Sequence, residues 1–109
     1  MALLKQLFFS KRPVTITYTV SQTGEINISQ SEPTITLNIQ NNYGLGIFTK
    51  SFTIGSTSFP VTGSPTINTG TNVIKGYLSY RDTSGALKSL SCQPVNVVNG
   101  KANITCNIK

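Results

Sequence analysis

The chain has 109 residues and a net charge of +6, with nine Lys and Arg against Glu25, Glu32 and Asp82, no histidine and two cysteines. That length suits one domain with a modest core, and the lack of histidine excludes a His-based catalytic triad and imidazole ligation of a metal. Charged residues are 11% of the chain, against roughly 25% in ordinary soluble domains, while Thr, Ser and Asn supply 37 of the 109 residues, so the solvent faces are neutral hydroxyls and amides with little charge to titrate or screen.

Residues 1–12 are the most apolar segment, through Leu3, Leu4, Leu7, Phe8 and Phe9. They are too few to span a bilayer, which takes about 20 apolar residues. The basic pair Lys11 and Arg12 follows the apolar run, whereas a secretory signal places its charge first and small residues at a cleavage site. The segment is expected to be an uncleaved arm. It would close its own core as a short helix or strand, dock on a neighbouring subunit, or anchor on a membrane. Pro13 fixes φ and marks the boundary with a β-domain over 13–109.

From there the chain reads as short alternating strands. Val14, Ile16, Tyr18 and Val20 alternate with three threonines, the pattern of a half-buried antiparallel strand. Ser21–Gly24 is a turn, and Glu25–Ser29 a short strand carrying Ile26 and Ile28. After a break at Pro33, Ile35, Leu37 and Ile39 alternate over 34–40, and Asn41–Gly44 turns the chain. Residues 46–54 place Phe48, Phe52 and Ile54 on one face with Lys50, which implies an edge position or a snorkelling side chain. Residues 58–62 contain Pro60, which lacks a ladder donor and restricts them to an edge. Residues 63–66 and 68–72 read as loops. Val73–Arg81 is a longer strand with Ile74, Leu78 and Tyr80 on one side, Asp82–Gly85 a hairpin turn, and Ala86–Cys92 its return.

The last stretch carries an Asn99-Gly100 turn between alternating arms, the signature of a type I′ hairpin. A cysteine lies near each far end, Cys92 and Cys106, and they form either a disulfide or two buried thiols. The hairpin, which brings them together, favours the disulfide and with it an oxidising environment or a hyperthermophilic archaeal cytoplasm. Counting outward from the turn, however, pairs Gln93 with Cys106 and points Cys92 to the opposite face. The bond therefore requires an extra residue, as in a β-bulge, and Pro94 is placed to cause one. Eight or nine strands at such spacing predict an all-β fold, an antiparallel two-sheet β-sandwich, Ig-like or a small jelly roll.

Catalytic signals are sparse. Glu25 and Glu32 are the one close pair of carboxylates, in solvent-facing contexts that do not suit a glycosidase. No phosphate-binding glycine loop occurs. Tyr43, Phe48, Phe52 and Phe59 have the composition of a base-stacking platform but read more simply as core. The basic residues are scattered, so nucleic acid is not an expected partner. No cofactor, metal or small-molecule substrate is expected. Asn27-Ile-Ser29 and Asn103-Ile-Thr105 are glycosylation sequons, of a kind that arises by chance in such a composition.

The Thr-, Ser- and Asn-rich strands, such as Val14–Val20, and the segment Thr66-Ile-Asn-Thr-Gly-Thr-Asn-Val-Ile-Lys-Gly-Tyr77 resemble small β-sandwich domains of archaeal surface filaments and of virions infecting thermophilic archaea. The resemblance is one of style over residues 13–109. It implies a non-enzymatic structural subunit at a virion or cell surface, a coat, turret or capsid-associated protein. Such a subunit would assemble with copies of itself or with other structural proteins, with membrane contact through the arm as a further expectation. The alternative is a surface-exposed adhesion module, recognising carbohydrate or protein through loops at 41–46, 63–72 and 82–85.

Overall fold

Strict alternation in Arg12–Gln22 (β1) buries Val14, Ile16, Tyr18 and Val20 on one face. The same rule in Lys101–Ile108 (β9) buries Ala102, Ile104, Cys106 and Ile108. In the computed structural model, which describes residues 12–109, these two strands pair in parallel through eight register positions, from Thr15 with Lys101 to Gln22 with Ile108. The other edge of β1 pairs antiparallel with Val61–Gly63 (β4) and Thr66–Thr69 (β5). Register is continuous across both, and Ile16 N–H donates to the Pro65 carbonyl between them (2.9 Å). β4 and β5 are thus one strand, interrupted where Pro65 has no N–H to give.

The second sheet is built from hairpins. Thr34–Asn41 (β2) pairs with Gly46–Thr53 (β3), and Val73–Arg81 (β6) with Leu87–Ser91 (β7) and then Val95–Asn96 (β8); β2 and β6 join the two. Ile35, Leu37 and Ile39 of β2, Phe52 of β3, and Ile74 and Leu78 of β6 face the first sheet. The result is a two-sheet β-sandwich. Counting β4/β5 and β7/β8 as single positions gives seven. The first, fourth and seventh form one sheet and the second, third, fifth and sixth the other, which is not the ABED/CFG division of constant immunoglobulin domains.

Three expectations change. Residues 25–29 pair with no strand; Ile28 is buried, but the segment is an extended connection whose Ser29 N–H reaches the Arg81 carbonyl (2.8 Å). Thr66, Asn68 and Thr69, expected in loops, join Ile67 in strand β5, because the free edge of β1 supplies hydrogen bonds that outweigh their turn-like composition. β1 begins at Arg12, one residue ahead of Pro13, with Arg12 opposite Thr69.

The terminal hairpin is the largest revision. Its turn forms as expected, with positive φ at Asn99 (54°) and Gly100 (72°) and a reciprocal Val98–Lys101 backbone pair (2.9 and 3.0 Å). Beyond that pair the arms part: β8 joins β6 in one sheet and β9 joins β1 in the other. The Cys92–Cys106 disulfide therefore bridges the two sheets, with Cα atoms 4.8 Å apart and both cysteines buried. The irregularity at Pro94 exists, but against a different partner. β7 pairs with β6 in one register (Tyr77 with Ser91) and β8 one residue later (Ile74 with Val95). The extra residue switches the inward parity from Leu90 and Cys92 to Val95 and Val97, keeping both halves of the strand on the core.

Gly76 lies opposite Cys92, whose N–H donates to its carbonyl (2.9 Å). A Cβ there would stand 2.8 Å from Ile104 Cδ1 and 3.5 Å from Cys92 Sγ. Outward, hydroxyl pairs run across strands: Thr15 with Thr66 (3.1 Å), Thr17 with Ser64 (3.1 Å) and Thr36 with Ser51 (2.9 Å).

Two outcomes are expected. Replacing both cysteines with serine should lower the free energy of unfolding by about 3 kcal/mol, the loop-closure value for about 15 residues, measured by urea denaturation. Gly76→Ala should cost about 1–3 kcal/mol by overpacking. Adding Ile104→Val, which removes the opposing methyl, should recover part of that loss in a double-mutant cycle.

Candidate functional site

At the end of the sandwich where the chain enters β1, three connections converge. The β2–β3 turn is set by Asn41, whose side chain is buried and whose Oδ1 accepts hydrogen bonds from the N–H groups of Tyr43 (2.9 Å) and Leu45 (3.0 Å). Gly44 takes the positive φ (83°) that the turn needs. With the turn's backbone satisfied internally, Tyr43 and Leu45 project outward, 69% and 64% exposed. The β5–β6 connection is tied to this turn through Thr71. Its hydroxyl accepts from the Asn42 N–H (3.1 Å), donates to the Val73 carbonyl (2.6 Å) and contacts Asn42 Oδ1. The β8–β9 turn completes the rim with Val98, 62% exposed.

Between these turns and the start of β1 lies an open cleft of about 710 Å³, walled by Arg12 and Pro13, Asn42 and Tyr43, Thr69–Asn72, Val97 and Gly100. A smaller depression of about 330 Å³ lies on the other side of Tyr43, against Leu45, Ile47 and Ile67. The lining combines amides and hydroxyls with aromatic and aliphatic surface, and among the described residues Arg12 is the one charged side chain on it. Such a surface can hold an extended backbone or a sugar ring through hydrogen bonds and apolar contact. No carboxylate lines it to act as an acid or base, and among the described residues no three His, Cys, Asp or Glu group as metal ligands.

The opposite end repeats the turn chemistry with a charge. Asp82 Oδ1 accepts from the Ser84 hydroxyl (2.6 Å), the Ser84 N–H (2.9 Å) and the Ala86 N–H (3.0 Å), and Gly85 takes positive φ (86°). The Ser84 hydroxyl foremost, then the backbone donors and Lys88 (3.9 Å), outweigh desolvation and hold the Asp82 carboxyl below its ordinary value. The Thr83 hydroxyl here donates to Asn27 Oδ1 (2.8 Å).

The residues singled out from sequence are dispersed. Cys92 and Cys106 sit in the core. Asn27 is exposed at the Asp82 end, and Asn103 is exposed on the outer face of β9. Leu3, Leu4, Leu7, Phe8 and Phe9 lie outside the described residues. Of the three expected loops, 41–46 meets 69–72 at the cleft, 63–65 runs along a sheet edge, and 82–85 is at the far end. Phe52 packs edge-on to Phe59 (6.2 Å) and Phe48 against Tyr18 (5.8 Å), leaving Tyr43 apart from them. Sequence reasoning passed over Leu45 and Val98, although each is a large apolar residue beside turn glycines, where solvent exposure is expected.

Comparison with protein-family models, with curated proteins and with solved structures returns no match.

The lowered carboxyl at Asp82 carries a pH prediction. A depressed folded pKa contributes stability that is present above the unfolded value, about 3.9, and is lost as pH falls through the folded value. The thermal midpoint should therefore hold level to about pH 5 and decline below about pH 4. Asp82→Asn, which keeps the turn as Asn41 does at the other end, should shrink that decline in melts followed by circular dichroism.

Proposed function

We propose that this protein is a non-enzymatic structural subunit of an extracellular assembly, self-associating through its N-terminal arm. The observation that carries this reading is where exposed apolar surface falls. The sandwich shows solvent mostly neutral strand faces. Of the four large apolar side chains exposed among the described residues, Tyr43, Leu45 and Val98 lie at the end where the chain enters β1, the strand that follows the most apolar segment in the sequence. A buried disulfide suits an oxidising, extracellular setting. The narrower assignment, to a virion coat, turret or capsid-associated protein, draws on the compositional resemblance of its strands to such domains.

A second reading, a surface adhesion module, is favoured by one feature. Tyr43 stands exposed beside Asn42, Thr71 and Asn72, an aromatic surface next to amides and hydroxyls of the kind that receives a sugar ring. A glycan array without a hit would count against it.

The leading reading is tested by deleting residues 1–11. Sedimentation velocity should show the full chain associating and the truncated chain as a monomer, with the sandwich still melting cooperatively. Undiminished association after deletion would remove the arm from the assembly.

A further inference from the structure

We propose that the cleft between the β2–β3, β5–β6 and β8–β9 turns is the receptor for residues 3–9 of a second copy of this chain, and that two copies exchange these segments reciprocally. The proposal rests on the arm-mediated association put forward above and names its acceptor.

Four observations lead to it. The described residues leave four large apolar side chains exposed, and Tyr43, Leu45 and Val98 border this end while Leu87 lies at the other, opposite Arg81. The cleft at this end, about 710 Å³, has Tyr43 and Val97 on its wall, with Leu45 on the smaller depression across Tyr43, and is of a size to take a few large side chains. Its amides and hydroxyls can meet the backbone of an extended segment. Its lining holds no acidic residue, so it has no means of selecting a basic ligand by charge.

The chain itself offers an occupant of matching chemistry. The eleven residues before Arg12 include Leu3, Leu4, Leu7, Phe8 and Phe9, and Arg12 and Pro13 form part of the cleft wall. Arg12 precedes a proline, which biases it to an extended backbone and away from a turn. Phe9 lies within about 10 Å of chain from Arg12, and Leu3 within about 30 Å. To enter the cleft its own root helps to wall, the segment must reverse within a few residues. To enter a cleft facing it on another copy, it runs straight on.

The symmetry follows from placement. Root and receptor share one end of the molecule, so two copies meeting end to end satisfy both arms and both clefts at once. This is an isologous two-fold contact, which closes at two copies. An open filament would need root and receptor at opposite ends.

Sedimentation velocity on full-length proteins tests the proposal. Tyr43→Asp with Asn72→Asp spoils the cleft, whose wall both residues line, and Leu7→Asp with Phe8→Asp spoils the arm. Tyr43 and Asn72 are both solvent-exposed, so the fold should survive, and a cooperative melt checks this; Tyr43→Asp alone is the substitute if it does not. The wild type should be a dimer. Each variant alone should dimerise at least about 30-fold more weakly, the scale of losing a buried aromatic anchor. An equal mixture should dimerise more tightly than either variant alone, because the arm of the cleft variant still fits the cleft of the arm variant and restores one of the two contacts. A cleft variant that dimerises like wild type, beside a monomeric arm variant, would overturn the receptor and leave arm-mediated association standing. An arm variant that associates normally would overturn both. Two monomeric variants whose mixture dimerises no better than either alone would overturn exchange, and wild-type species growing beyond two would overturn closure.

Discussion

Among the described strands of its sheet, β1 alone has partners on both edges, and the fold depends on its being held there. On one side it has the strand interrupted by Pro65, on the other the parallel ladder to β9. The opposite sheet is assembled largely from contacts near in sequence, the β2–β3 and β6–β7 hairpins. The β1 sheet instead joins the first described strand to the last, so its loop-closure entropy is met only when most of the chain is in place. The disulfide bears on this directly. By tying β9 to the strand that precedes it, across the sandwich, it restricts how far the last strand can stray in the unfolded chain.

The surface has a different logic from the core. Cross-strand hydroxyl pairs and the Asn38 amide bond to Ser79 (3.0 Å) occupy positions where many domains place ion pairs. One ion pair, Asp82 with Lys88, occurs among the described residues, and at 3.9 Å beside solvent it contributes little. Neutral pairs of this sort keep their strength as salt and pH vary. Departures from that neutrality are correspondingly informative, and the apolar rim formed by Tyr43, Leu45 and Val98 is the clearest.

The long strands were legible because one buried face enforces a period of two: Val14–Val20, Ile35–Ile39 and Ala102–Ile108 announce themselves. β5 was not, since Thr66-Ile-Asn-Thr carries one apolar residue and its extended form is imposed by the waiting edge of β1. Ile26 and Ile28 misled in the other direction, because two alternating isoleucines bury one side chain without any ladder to join. The Asn99-Gly100 turn was read correctly, yet a local turn signal does not say how far its arms stay paired. That depends on which sheets compete for β8 and β9. The cleft was the least legible feature, being made of four chain segments that meet only in three dimensions. Its one local trace is the presence of bulky apolar residues inside turns.

The parallel pairing of β1 with β9 also has a mechanical meaning. The chain enters β1 at one end of the sandwich and leaves β9 at the other. Tension applied across the molecule along these two strands loads their ladder in shear, so its hydrogen bonds resist together, whereas the strands of a hairpin pulled at its open end would unzip one bond at a time. Should β9 begin to slide, the Cys92–Cys106 bond keeps residues 92–106 from paying out as slack. The same arrangement that closes the fold would set how it carries such a load.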